Sequence, residues 1–440
     1  VSVLLDAAKS AVALAQKHGA TEAVSTATRS RQVELVFRDG RVEKTSEATT
    51  RGVSIALYAE GHYAAVSTSD LRPDALDAFV ADAVAMARSL ARDPFRSLPD
   101  PKLYAGRASA DLRIFDPGQG AVTPETRRRL AAEMEQAARA ARGAEAILSV
   151  TASTSDDHTE VARFSSNGFE GEIEHTSFTL STDVSVKDAD GRRPEEGWWA
   201  TTRALSALPA AADVGRAAAE RALSTLGAKK IPSAVLPLVV QNRVAGRLVY
   251  ALLGALYGRA LQQKQSFLEG KIGAEIGGKL FTLVDDPLLP AGLGSRLWDG
   301  DGIAARRMPL FEQGVLRAYF IDDYYGRKLG VPPTTGSSSN LVIPPGKKDE
   351  AALLADVKEG VLVTSFLGGN SNATTGDYSL GIAGFRIRGG KRAEPVSEMN
   401  IAGNHKDLWK KLVAVGNDPW PHSSARTPAL VFDGVQLAGI

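Results

Sequence analysis

The sequence predicts an α+β protein of two domains. N-terminal helices pack on an antiparallel sheet, and a strand-rich, barrel-like or sandwich-like domain then closes around one long buried helix. Three observations carry this. The chain has 440 residues, too many for one small core. In its first half the apolar period switches repeatedly between helical spacing and strict alternation. In its second half only Asn242–Gly258 holds a long helical pattern, and the rest reads as strands.

Composition narrows the class. Apolar residues make up 44% and charged residues 23%, with a formal net charge of +1, which is an ordinary globular balance. A near-neutral chain without a basic stripe gives no support for a nucleic-acid surface. There is no cysteine, so disulfides, thiolate ligands and cysteine nucleophiles are all excluded. The apolar run 231–240 contains Pro232 and Pro237 and is too short to span a bilayer. The opening helix carries Asp6, Lys9 and Lys17 and lacks a small-residue cleavage site, unlike a signal peptide.

Leu4, Leu5, Ala8, Val12 and Ala15 give the first helix, which Gly19 ends. Val33, Leu35 and Phe37 then alternate up to a hairpin signal at Asp39-Gly40. Residues 52–59 and 62–67, joined by Glu60-Gly61, read as a second hairpin. Pro73 starts an amphipathic helix to about Arg92, and Thr123-Pro124-Glu125 starts another to about Arg142. Strands are expected over 146–154, 158–165 and 171–183, with Asn167-Gly168 as a turn. An Ala-rich helix over 210–226 ends at Gly227. The first domain is therefore placed at 1–227 and the second at 228–440, with Ala228–Pro232 as linker.

The second domain begins with the long helix. Val244, Leu248, Ala251, Leu252, Ala255 and Leu256 form one stripe, widened by Val249 and Leu253. A helix apolar nearly all round is buried, so this one is the core on which the strands close. Strands are expected at 278–285, 303–311, 315–321, 360–367, 380–388, 394–401 and 429–438. Short helices are expected at 351–359 and 405–413.

Candidate chemistry is sparse. No two of the six histidines have the spacing that places two imidazoles on one helix face. His158 follows Asp156 and Asp157 in what reads as a solvated turn between strands. No Gly-x-Ser-x-Gly elbow occurs, and Ser337–Ser339 sit in a turn-rich loop. The segment from Gly368 to Ser379 is glycine- and amide-rich but lacks the Walker lysine. It reads as a polar loop whose backbone a ligand can approach, or as a long surface turn. Gly369, Asn370, Asn372, Thr375, Asp377 and Tyr378 are its candidate groove residues. Asp285-Asp286 and Asp322-Asp323 are adjacent pairs whose side chains diverge in a strand, so neither is a ready dyad. The second pair ends a strand and opens a helical turn.

Two stretches carry a family resemblance. They are Gly376-Asp377-Tyr378-Ser379-Leu380-Gly381-Ile382-Ala383-Gly384-Phe385 and Pro395-Val396-Ser397-Glu398-Met399-Asn400-Ile401-Ala402-Gly403-Asn404. With Ser266-Phe267-Leu268, Gly292–Ser295 and Ala414-Val415-Gly416-Asn417-Asp418, the chain resembles the TldD/TldE (PmbA) protease family, most closely its TldE/PmbA branch. The resemblance spans essentially the whole chain and is most specific over 240–440.

This resemblance implies a two-domain cytoplasmic protein whose members pair, TldD with TldE, into a metalloprotease acting on peptides or unfolded segments. In the TldD branch the helix equivalent to 242–258 carries His-Glu-x-x-x-His, and a C-terminal cysteine completes a zinc site. Those positions fall here on Tyr250, Ala251, Ala255 and Val415. Alanine and valine offer no donor and tyrosine is a poor zinc ligand, so the catalytic residues do not carry over. No carboxylate stands at 251 to activate a metal-bound water. The resemblance thus implies a chain with no cofactor of its own, zinc supplied by a TldD-like partner, and a peptide substrate. The alternative is a non-enzymatic homodimer that binds peptides or a regulatory protein. A third possibility, a metal-free hydrolase, lacks a visible constellation. Relatives are also called modulators of DNA gyrase. The charge balance gives no physical support for direct DNA contact, so a gyrase effect would run through proteolysis of another protein.

Overall fold

The computed structural model describes residues 2–440. Its first half contains α1 (Ser2–Lys17), β1 (Glu22–Arg38), β2 (Arg41–Ala59), β3 (His62–Thr68), α2 (Pro73–Ser89), α3 (Pro124–Arg139), β4 (Ile147–Ser165), β5 (Glu170–Val186), β6 (Glu195–Thr202) and α4 (Ala211–Leu223). The six strands form one antiparallel sheet in the order β3-β2-β1-β4-β5-β6. The helices cover it in two pairs. Ala8, Ala11 and Val12 of α1 and Val80, Val84 and Ala87 of α2 pack on Ala23, Ala27, Ile55 and Leu57. Ala131 and Met134 of α3 and Val214 of α4 pack on Leu35, Phe37, Ala152 and Leu180. The α3–α4 contact needs Gly215, because a Cβ there would lie 1.9 Å from the Met134 carbonyl oxygen.

The expected turns at Asp39-Gly40, Glu60-Gly61 and Asn167-Gly168 join these strands, and at the first two both residues have positive φ. Two readings are corrected. The two N-terminal hairpins are one meander, since β2 runs unbroken for 19 residues. Its first eleven residues are exposed, so no alternation marks them as strand. Asp156-Asp157-His158 is not a turn either, because it lies inside β4. Asp156 points under α3 and is held there by Arg127, which lets a strand carry a carboxylate inward.

The second half contains β7 (Ala234–Val240), α5 (Asn242–Leu256), α6 (Gly258–Gln262), β8 (Leu283–Asp285), β9 (Met308–Glu312), β10 (Val315–Leu316), α7 (Asp323–Leu329), β11 (Leu341–Val342), α8 (Glu350–Val357), β12 (Gly360–Ser371), β13 (Asp377–Arg388), β14 (Lys391–Asn404), α9 (His405–Leu408), β15 (Leu412–Val415), β16 (Ala425–Arg426) and β17 (Leu430–Ala438). Strands β14-β13-β12-β7-β17 are neighbours in that order, and pairing of β14 with β17 closes them into a five-stranded barrel. β15 extends it from β17. A second sheet runs β10-β9-β8-β11-β16. Leu248, Leu252 and Leu256 of α5 share one core with Leu238, Phe311, Ile382, Ile401, Trp409 and Phe432. The long helix is thus the central packing element.

Several expected C-terminal strands are shorter than their apolar patterns. Phe281, Phe320 and Ile321 are buried from irregular chain rather than from strands, so burial alone misled the pattern. The helix expected over 405–413 ends early. Its α-helical part stops at Leu408, and Leu412 already pairs with Phe432 in the barrel. Asp322 and Asp323 do open a helical turn, with Asp322 capping Tyr325 N.

Arg203, 8% exposed, ties the halves together. Its guanidinium donates to the Thr176 carbonyl in the first sheet and to the Gly292 and Leu293 carbonyls in the second half. The resembling stretch 292–295 is in turn held by Asn340, which accepts from Gly294 N and donates to Ser295 Oγ. Among the described residues no helix is long and apolar enough to cross a membrane.

Candidate functional site

The candidate site lies along the open face of α5. Ala245, Leu248, Val249, Leu252 and Ala255 are fully buried. Arg247, Tyr250 and Gly254 are exposed, and Arg243 and Ala251 are half-buried. These five recur at three- and four-residue steps, so they form one stripe beside the packing face. Two segments flank the stripe. The outer edge of β12 pairs with β7 only at Val361–Val363, and beyond that it runs past α5. There Arg247 Nη2 donates to the Gly369 carbonyl at 3.2 Å, and Gly254 faces Ala373. On the other side Tyr250 Oη lies 3.0 Å from Ser424 Oγ and 3.5 Å from Ser423 Oγ.

The structure separates the four positions where the resemblance puts metal chemistry. Tyr250 and Ala251 are on the open stripe. Ala255 is buried, and its carbonyl accepts Ser266 Oγ at 2.6 Å. Val415 is on β15 opposite Leu430, packed against the central core. Of these side chains only Tyr250 has a heteroatom, and it is already engaged by the two serines. The donor set does not fit a zinc ion, which takes thiolate, imidazole or carboxylate ligands.

The polar segment 368–379 is corrected from a loop to a hairpin. β12 continues to Ser371 and β13 begins at Asp377, leaving only 372–376 as turn. Gly368 and Gly369, with φ of 115° and 101°, form a bulge that lets the ladder continue. Asn372 caps Thr374 N, and Thr375 and Asn404 hold Asp377. Tyr378 points inward, 6% exposed, so it lines no open groove. Gly369 and Asn370 remain exposed beside α5.

Behind this edge sits a pair that the sequence reading missed. Ser371 Oγ lies 2.8 Å from His405 Nε2 and 3.5 Å from the Ala251 carbonyl. His405 is fully buried beside Phe267 and Tyr378, and burial lowers its pKa to about 4. Burial likewise pushes the Tyr378 phenol up to about 12, with Asp407 adding to the shift. Among the described residues His405 Nδ1 has no hydrogen-bond partner. Nothing in the sequence announced the pair, because its members are distant in the chain and neither sits in a motif.

At the N-terminal end of α5, Arg243 stacks 4.2 Å from the Trp198 ring centre and donates to the Gly197 carbonyl. Burial lowers its pKa to about 9, and the nearby Arg221 adds to the shift. Trp420 packs edge-on against Trp198 and Trp199, so this aromatic cluster ties β6 to the helix. On the first sheet, ligand-type atoms of His158, Glu160 and Glu174 lie within 4.8 Å of one another. Arg29 pairs with Glu160, and His158 Nε2 lies 2.7 Å from Glu174 Oε1, so these groups already engage neighbouring side chains.

Three consecutive sequence families match the chain: PmbA/TldA metallopeptidase domain 1 over residues 27–87, the central domain over 118–226 and the C-terminal domain over 233–439. The chain is 31% identical to metalloprotease PmbA of Escherichia coli O157:H7, covering 99% of this chain and 96% of that protein. It is 29% identical to a PmbA homologue of Haemophilus influenzae at the same coverage. Among solved structures, a protein from Bacteroides thetaiotaomicron described as a candidate modulator of DNA gyrase superimposes with a TM-score of 0.95 and 38% identity, covering 99% of this chain and 98% of that one. TldE from Thermococcus kodakarensis shares the fold, with a TM-score of 0.88 and 20% identity over 98% of this chain and all of that one.

Proposed function

The chain belongs to the PmbA/TldD/TldE family of metallopeptidase-like proteins, and on that premise we propose that it is the metal-free subunit of a two-component peptidase. Zinc and its activated water belong to a TldD-like partner. This chain shapes the shared chamber and helps to hold an extended peptide. The observation that supports the reading is the open stripe of α5. The helix keeps its packing face, where Ala255 is buried, and on the stripe Tyr250 and Ala251 present one hydroxyl and no carboxylate or imidazole. The exposed run of β12 around Gly369 and Asn370 offers main chain for strand addition, a sequence-tolerant way to hold peptide.

The Ser371–His405 contact is the pair that most resembles a nucleophile and base for an independent hydrolase. An imidazole whose pKa is lowered to about 4 by burial is a weak base at neutral pH, and among the described residues its Nδ1 has no acceptor to orient it. The dyad therefore supports packing better than catalysis.

Co-expression with a TldD-like protein tests the proposal. The expected outcome is one complex on size exclusion and chelator-sensitive peptide hydrolysis that exceeds either chain alone. Separate elution with no gain in hydrolysis removes the reading. A self-associated chain that still binds peptide would favour the homodimer instead.

A further inference from the structure

A cavity of about 430 Å³ lies between the first sheet, the 96–99 segment, the loop at Gly300-Asp301 and the start of α7, away from α5. Three of its charged lining groups, Arg96, Arg163 and Asp301, form no ion pair among the described residues. Arg163, on β4, donates from Nη1 to Thr26 Oγ1 at 3.1 Å, while its Nε has no partner among the described residues. Arg96 lies between two rings, 3.6 Å from the Tyr324 centre and 4.3 Å from the Tyr63 centre. Among the described residues its guanidinium has no hydrogen bond or ion pair. Facing them, the Asp301 carboxylate accepts only the Asp323 N–H among the described residues, at 3.0 Å. Arg163 and Asp301 each feel the other's charge, yet no bond joins them, and both line the cavity.

The surroundings decide which ligand suits this arrangement. Asp299, Asp322 and Asp323 flank Asp301, but each is engaged. Asp299 accepts Ile303 N and Gly336 N, Asp322 caps Tyr325 N, and Asp323 pairs with Arg327. A dianion such as a phosphate ester would meet this carboxylate cluster and be repelled. A simple cation would leave the half-buried Arg96 and Arg163 guanidinium groups unmatched. A ligand carrying one carboxylate and one ammonium satisfies both sides, with its carboxylate between Arg96 and Arg163 and its ammonium on Asp301. The volume suits a small ligand, and the walls include Tyr58, Ile55, Val66 and Leu98 for an apolar side chain.

We propose that this interdomain cavity binds a small zwitterion with an α-ammonium and a carboxylate, either a free amino acid or a dipeptide. Neither the metal-free-subunit reading nor its test bears on this site. Occupancy would bridge the two halves of the chain through β4 and the 299–301 loop.

Burial and the neighbouring Asp299 raise the Asp301 pKa to about 6, with Asp322 adding and Arg163 opposing. The carboxylate is therefore charged at neutral pH and becomes neutral in acid, while the ligand's ammonium stays charged throughout. Binding is then expected to weaken as pH falls through that value.

Isothermal titration of the full chain with L-leucine, leucyl-glycine and N-acetyl-leucinamide tests this. At least one zwitterion should bind saturably at neutral pH, and which one binds separates amino acid from dipeptide. The uncharged amide should not bind. Asp301→Asn and Arg163→Gln should each weaken binding about tenfold or more, and so should a shift from about pH 7.5 to about pH 5. The proposal is overturned if neither zwitterion binds, if the amide binds as well, or if binding ignores both pH and Asp301→Asn. Should a variant fail to fold, the amide comparison and the pH series on the unmodified chain still decide.

Discussion

Arg127→Ala is expected to destabilise the protein by about 3–5 kcal/mol, the usual cost of stranding one partner of a buried ion pair. Arg127 reaches from α3 onto β4 and grips Asp156 with two bonds, Nε to Oδ1 at 2.6 Å and Nη2 to Oδ2 at 2.9 Å. The side chains are 5% and 3% exposed, so water cannot replace the guanidinium when it is removed. The fork geometry matters as well as the charge, since two parallel bonds fix the helix over the strand. A urea midpoint series on the full chain measures the loss. The double variant Arg127→Met with Asp156→Leu should recover most of it, because an apolar pair of similar bulk strands no charge. A single-variant loss under about 1 kcal/mol would mean that the pair is solvated and the α3 docking described above is wrong.

Leu252→Ala should cost about 2.7–5 kcal/mol, the range for deleting a large apolar side chain from a rigid core. Leu252 is fully buried at the centre of the packing face of α5, within the cluster that joins the barrel to the second sheet. Neighbours held in closed strands collapse poorly, which favours the upper part of that range. Tyr250→Phe, two positions away on the open stripe, should cost no more than about 1 kcal/mol, since only an exposed hydroxyl contact is lost. Denaturation of the two variants side by side measures the contrast. Equal losses would mean that α5 has no distinct packing and open faces, and the candidate site would lose its definition.

The sequence carried the parts of this fold that rest on local physics. The α5 stripe was readable because its apolar steps keep helical spacing, and the hairpin turns because Asp-Gly, Glu-Gly and Asn-Gly pairs accept positive φ. The second domain was legible as a strand-rich, barrel-like or sandwich-like body around α5, but which of the two was not. Closure of the barrel depends on Asn400 and Ile401 meeting Ala438 and Leu437, a pairing that no local pattern encodes. The exposed start of β2 and the inward Asp156 hid for opposite reasons. The first has no buried face, and the second has one whose polar group is paired from a distant helix. The 368–379 hairpin looked like a loop because two glycines form a bulge there. The positions of the degenerate metal motif followed from family resemblance. The Ser371–His405 pair and the unpaired charges around Asp301 needed coordinates, because each joins residues far apart in the chain.

Zinc content of the purified chain, alone and after co-purification with a TldD-like partner, bears most directly on the metal-free reading of α5. The account predicts little zinc in the isolated chain after dialysis and about one zinc per pair in the complex, lost on chelation. Stoichiometric zinc retained by the isolated chain would contradict it, because Tyr250, Ala251, Ala255 and Val415 could not be the ligands.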